Sequence, residues 1–147
     1  MIPAMELALD EARAAAARGE VPVGAVVLDP SGAILARAGN AVEARHDAAA
    51  HAEMLVLRVA AKARGDARLA GCDLVVTLEP CPMCAHAISL FRIRRLIFGA
   101  YDPKSGGVEH GARVFDAASC HHRPEIIGGV RETEAGALLR AFFAALR

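Results

Sequence analysis

The chain has 147 residues, and seventeen Lys and Arg balance seventeen Asp and Glu, so the formal net charge is zero. That length suits one domain, expected over residues 1–147, with a real core and no need of disulfides. With 54 % hydrophobic and 23 % charged residues the composition excludes low-complexity disorder. No apolar run approaches the ~18 residues of a membrane span, so no membrane partner is expected. Residues 1–13 carry acids early and lack a basic start followed by an apolar block, so no signal peptide is read and a cytoplasmic protein is expected. A zero net charge also argues against a broadly electrostatic, sequence-indifferent nucleic-acid binder.

Met5, Ala8, Leu9 and Ala12 recur at helical spacing and Gly19 stops them, which predicts an amphipathic helix over about residues 3–18. In residues 21–40 two apolar runs flank Asp29-Pro30-Ser31-Gly32, which reads as a β-hairpin. A helix is expected from His51 to Arg64, ended by Gly65. Asp73 to Leu78 is a short apolar run suited to a strand buried on both faces. Pro80-Cys81-Pro82-Met83-Cys84 then opens a helix to about Phe91, since proline is tolerated in a first turn. Leu96 to Ala100 predicts a strand, residues 101–123 a long functional loop, Glu125 to Ile127 a short strand and Glu132 to Leu146 a last helix. Leu138, Leu139, Phe142 and Leu146 share a face of that last helix. The alternation in the middle favours parallel pairing, so the fold class is α/β, with helices on both faces of a mixed sheet.

His51-Ala52-Glu53 and Cys81-Pro82-Met83-Cys84 form the strongest chemical pattern. Both sit where a helix begins. Cys81 and Cys84, three apart, share a helix face. Two thiolates and one imidazole are three ligands to zinc, which leaves a catalytic site its fourth position for water. Glu53 lies two residues after His51, about 200° away in mid-helix, but with His51 at the cap the two can converge. A carboxylate there can take a proton from water and hand it to a leaving group. Two plainer readings share part of this pattern. A structural zinc site would close with a fourth Cys or His and waste Glu53. A thioredoxin-like thiol pair leaves His-x-Glu without a role. Cys72 and Cys120 read as buried small hydrophobes.

His-x-Glu followed by Pro-Cys-x-x-Cys is the known signature of zinc-dependent nucleic-acid and nucleoside deaminases, and the chain resembles that family. Within it the chain closely resembles bacterial tRNA adenosine deaminases. The matching segments are Glu20-Val21-Pro22-Val23-Gly24-Ala25, Gly39-Asn40, Arg45-His46-Asp47, His51-Ala52-Glu53, residues 77–84, Phe98-Gly99-Ala100 and residues 102–107. The resemblance implies a three-layer α/β/α cytidine-deaminase-like sandwich, mainly five-stranded, and a homodimer. It implies conversion of adenosine to inosine at the wobble position of a tRNA anticodon stem-loop. On that analogy His51, Cys81 and Cys84 hold one Zn2+ per chain and Glu53 shuttles protons. Ala52 offers its backbone N–H to the base and Asn40 contacts the flipped-out nucleotide. Val23, Gly24 and Leu78 line the base pocket, while Asp102, Lys104 and Ser105 belong to a loop that touches flanking nucleotides. Two alternatives stay open: a deaminase of free nucleobases or nucleosides, and a zinc-stabilised RNA-binding module without activity.

Four features depart from the resemblance or qualify it. Ala48-Ala49 stands where Pro-Thr is common, which should loosen that turn, and Tyr101 stands where many members carry arginine. His121 and His122 either stack on bases or are plain surface residues. The zero net charge is also uneven: residues 91–131 hold seven basic against four acidic residues, a net +3 beside the expected substrate loop.

Overall fold

The computed structural model describes residues 2–146; Met1 and Arg147, the ends of the expected domain, lie outside them. Helix α1 (Ile2–Ala17) leads into strands β1 (Gly24–Leu28) and β2 (Ile34–Gly39). A single helical turn, α2 (Val42–Arg45), precedes α3 (Ala52–Arg64), β3 (Asp73–Leu78), α4 (Pro82–Leu90) and β4 (Arg95–Ala100). After a long loop with one 3-10 turn at Val114–Asp116 come β5 (Glu125–Ile127) and α5 (Glu132–Ala145). The sheet order is β2-β1-β3-β4-β5. β1 runs antiparallel to both β2 and β3, while β3, β4 and β5 are parallel. This is the mixed five-stranded α/β sandwich that the sequence predicts. The turn α2 and the 3-10 turn are the pieces it did not.

Period two sorts the central strands between two cores. Ala25, Val27, Leu74, Val76, Leu96 and Phe98 face α3 and α4, where Val56, Leu57, Ala60, Ala85 and Ile88 are buried. Val26, Leu28, Val75 and Ile97 face the other way, onto Met5, Ala8 and Leu9 of α1 and Ala135 of α5. The hairpin turns on Asp29, whose Oδ1 accepts the N–H of Ser31 at 2.8 Å and of Ala33 at 2.9 Å, with Gly32 at φ +90°. Gly65, at φ +68°, ends α3 as expected.

Several arginines of the basic stretch are neutralised within the fold. Arg94 makes a two-pronged bond to Asp73 at 3.0 and 2.9 Å. Arg95 lies 3.4 Å from Glu125, Arg113 and Arg123 share Asp116, and Arg131 pairs with Glu134 and Glu6. Among the described residues Lys104 has no carboxylate partner. The net +3 of residues 91–131 is therefore mostly internal pairing rather than an open strip.

Helix α1 lies almost on the backbone of β1. A Cβ added at Gly24 would sit 2.0 Å from Ala8 O and 2.6 Å from Ala12 N. Those are main-chain atoms of a helix and cannot step aside singly. Gly24→Ala is therefore expected to cost about 3 kcal/mol or more, read as a lowered urea midpoint; an unchanged midpoint would refute this close packing.

Candidate active site

His51 and Cys81 occupy the N-caps of α3 and α4, both with extended backbone, at φ −71°, ψ 148° and φ −69°, ψ 170°. Pro82 holds the first turn of α4. Cys84 lies in that turn, fully buried. His51 Nδ1 stands 3.6 Å from Cys81 Sγ and 3.4 Å from Cys84 Sγ. The three ligand atoms lie within 4.8 Å of one another. A tetrahedral zinc with bonds of ~2.3 Å to sulfur and ~2.0 Å to nitrogen places N and S about 3.5 Å apart. The donor set and its spacing therefore fit zinc, and both helix N-termini turn their positive ends toward it.

The proton balance agrees. The bond with Cys84, helped by His51, draws the Cys81 thiol down to about 4. The same bond, with burial, pushes Cys84 up, and the bond to Cys81 raises His51. Protons shared this way are the ones a divalent cation releases on binding. Glu53 follows in the first turn of α3 and is 4 % exposed. Burial pushes its carboxyl up to about 7, near the optimum for a group that takes and returns a proton in neutral water.

These residues open into a cleft of about 490 Å³, within the ~300–1,000 Å³ of small-ligand sites. His51, Glu53 and Cys81 form its floor, and Val23, Asn40, Leu78, Asp102 and Ser105 its walls. Lys104 and Tyr101 line an adjoining depression that shares Leu78, Asp102 and Ser105. Gly24 is absent from both linings; it packs on α1 and donates its N–H to Thr77 Oγ1 at 3.1 Å. The Ala52 N–H, expected to face the base, donates instead to Asn40 Oδ1 at 2.8 Å. One N–H carries one hydrogen, so this bond orients the Asn40 amide and leaves its NH2 group as the spare donor. Around Ala48-Ala49 the turn is held by Asp47, whose Oδ1 accepts the Ala49 N–H at 2.9 Å. His122 bonds the Ile93 carbonyl at 2.7 Å and is structural, while His121 is exposed.

Two sets of residues escaped the sequence reading. Phe142, Phe143 and Leu146 of the last helical turn border the cleft. Phe143 and Leu146 are 45 % and 70 % exposed, so the apolar face that begins as core at Leu138 and Leu139 ends as a rim. The adjacent Phe-Phe pair in a chain with only five Phe was the available signal. Glu20, 2 % exposed, also borders the cleft. Its carboxylate accepts the N–H of Glu43 at 3.1 Å and of Ala44 at 2.9 Å, capping α2 from a distance.

Residues 2–100 match the family described as the cytidine and deoxycytidylate deaminase zinc-binding region. The chain belongs to that family. It is 56 % identical to the tRNA-specific adenosine deaminase of Agrobacterium fabrum, over 95 % of this chain and 91 % of that protein. It is 47 % identical to the tRNA-specific adenosine deaminase of Bacillus subtilis, over 97 % and 88 % of the two chains. A solved structure from studies of A-to-I editing by tRNA deaminases at the wobble position superposes with a TM-score of 0.93 at 52 % identity, covering 95 % of this chain and all of that one. The guanine deaminase of Nitrosomonas europaea shares the fold at a TM-score of 0.83 and 26 % identity, over 97 % and 84 % of the chains. As a member of this family the chain is a zinc-binding hydrolytic deaminase.

Glu53 gives a pH prediction for metal-stripped protein. Its folded pKa of about 7 lies above the ordinary 4.5, so the folded state binds the proton more tightly. Stability from this group is whole below 4.5 and falls as pH rises through 7. Glu53→Gln should remove that slope and be more stable than the parent at pH 8 by up to ~3 kcal/mol, read as a higher unfolding temperature, with no advantage at pH 4. Parallel melting curves across pH 4–8 would overturn it.

Proposed function

We propose that this protein deaminates adenosine to inosine at the wobble position of a tRNA anticodon. The observation that carries the reading is a buried proton-transfer glutamate beside a His-Cys-Cys cluster with zinc spacing. The cluster sits on a fold that superposes on a wobble-position editing deaminase along nearly the whole chain. His51, Cys81 and Cys84 are the residues that hold the metal. Zinc, when bound there, supplies a Lewis acid that makes water a nucleophile near neutral pH.

The remaining chemistry belongs to the chain's own side chains. The Glu53 carboxylate takes a proton from the attacking water as its oxygen bonds carbon 6 of adenine. It gives that proton to the ring nitrogen, then takes the proton of the new hydroxyl on carbon 6 and passes it to the amino group; the C–N bond breaks as the C=O forms, so water and adenosine become inosine and ammonia. Buried beside the metal ligands, Glu53 is placed to pass a proton between the reacting groups rather than to bulk water. The Asn40 amide, oriented by the Ala52 N–H, holds the nucleotide by its spare donors. Val23 and Leu78 give the base an apolar berth, and Phe142 and Phe143 exclude water at the rim. Asp102, Lys104 and Ser105 meet the neighbouring nucleotides, with phosphates positioning the strand while the cleft reads one base. Gly24 acts only through the packing of β1.

We assign the protein to the cytoplasm, with tRNA as its partner. Among the described residues no helix is long and apolar enough to cross a membrane. A homodimer is supported by Val59, Met83 and Leu90, which leave 56 %, 39 % and 61 % of their surface exposed on α3 and α4. Sedimentation should give twice the chain mass at micromolar concentration; a monomer boundary would remove the dimer.

The deciding assay measures inosine in an anticodon stem-loop carrying wobble adenosine, with free adenosine, guanine and cytidine in parallel. Turnover of the stem-loop alone is expected. Glu53→Ala should keep one zinc per chain and lose at least about 1,000-fold in rate, while Cys84→Ala should fall below one zinc. Turnover only on a free base would sink the tRNA assignment. RNA binding without turnover in the parent would favour the inactive binding module.

A further inference from the structure

Glu79 follows β3 directly and is 1 % exposed. Among the described residues no Lys or Arg pairs with it; its charge is met by hydrogen-bond donors alone. Oε1 accepts the Asp102 N–H at 3.0 Å and bonds His110 Nδ1 at 2.8 Å. Oε2 accepts the N–H groups of Val108, Glu109 and His110 at 3.2, 2.9 and 3.1 Å. An ionised carboxylate only accepts, so His110 Nδ1 carries the hydrogen. Glu79 borders the cleft, but five donors on two oxygens use up the roughly four lone pairs of a carboxylate, so none is left for acid–base work, which separates Glu79 from Glu53.

All five donors come from residues 102–110. That segment also lies flush against the start of α4. A Cβ on Gly106 would meet Glu79 Oε2 at 2.5 Å, and one on Gly107 would meet Pro82 N at 2.6 Å. Gly107 N–H donates to Pro80 O at 2.8 Å. Asp102 in turn accepts the N–H of Lys104 at 3.2 Å and of Ser105 at 2.9 Å. The Asp102–Ser105 side of the cleft, and Lys104 beside it, thus hang from a single buried carboxylate.

We propose that Glu79 is a positioning residue: it gathers residues 102–110 into one shape and so sets how tightly the RNA strand is held, touching neither RNA nor the reacting atoms. The proposal rests on the RNA-editing function above. Glu79→Gln is the informative change, because it keeps the shape and swaps one acceptor for an NH2 group. Placed at Oε2, that group opposes three backbone N–H groups. Placed at Oε1, it can be met by a tautomer shift of His110, but the Asp102 N–H loses its acceptor.

The test uses zinc-loaded full-length chains on the wobble-adenosine stem-loop. Glu79→Gln should raise KM about tenfold or more, with kcat within about threefold and one zinc per chain retained. Glu79→Asp should recover part of the loss, and His110→Ala should raise KM only about threefold. Amide exchange should quicken in residues 102–110 and not in the sheet. A core variant, Val75→Ala, supplies a matched loss of Tm and should leave KM at the parent value. The proposal is overturned by a KM within twofold of the parent in Glu79→Gln, by loss of zinc in that variant, or by an equal KM rise in Val75→Ala. If Glu79→Gln does not fold, Glu79→Asp and His110→Ala decide by KM and exchange. If the parent fails on the stem-loop, the editing function fails, and exchange alone judges Glu79: quickening confined to residues 102–110 upholds the clamp, and unchanged protection overturns it.

Discussion

Two helices must begin within a few ångströms of one another for this protein to have a site at all. His51 caps α3 and Cys81 caps α4, with Cys84 one turn on. A cap residue is fixed by the helix behind it, so the position of the three donors is set by how α3 and α4 lie on the sheet. Their buried faces meet the same side of β1, β3 and β4. The packing of Val56, Leu57, Ala85 and Ile88 therefore reaches the metal cluster as geometry. Glu53 inherits its place in the same way, and its altered acidity follows from being buried there.

Much of this is visible in the chain before any coordinates. Short apolar runs bounded by turn residues, in residues 21–40 and at Asp73–Leu78, reveal strands, and Gly65 reveals a helix end, because each depends on neighbours close in sequence. The ligand triad is visible because caps and Cys-x-x-Cys spacing are local as well. What stayed hidden depends on distant partners. The turn α2 has no apolar period; it stands because Glu20, over twenty residues earlier, accepts the N–H groups of Glu43 and Ala44. The order in residues 102–110 comes from Glu79, which in the sequence reads only as part of a motif. The Ala52 N–H looked available to a base, and only the fold shows Asn40 taking it.

The cleft is thus built in two ways. Its floor belongs to helices and strands with full cores, while two of its borders, the short turn α2 and residues 102–110, are drawn in by buried glutamates. Both acids lie deep in the protein, and both are held below the usual carboxylate range. Burial alone would raise them, but backbone N–H groups outweigh it, aided by Arg18 at Glu20 and the His110 ring at Glu79. A fixed negative charge with N–H groups around it is a directional anchor that works without a cation. Rigid chemistry and shaped recognition are in this way assigned to different parts of the chain.

The internal pairing of Arg94, Arg95, Arg113, Arg123 and Arg131 has a kinetic side. Guanidinium groups already engaged with carboxylates grip phosphate weakly. Arginines already paired within the fold leave little open positive field, so the rate of encounter with RNA is expected to depend only gently on salt.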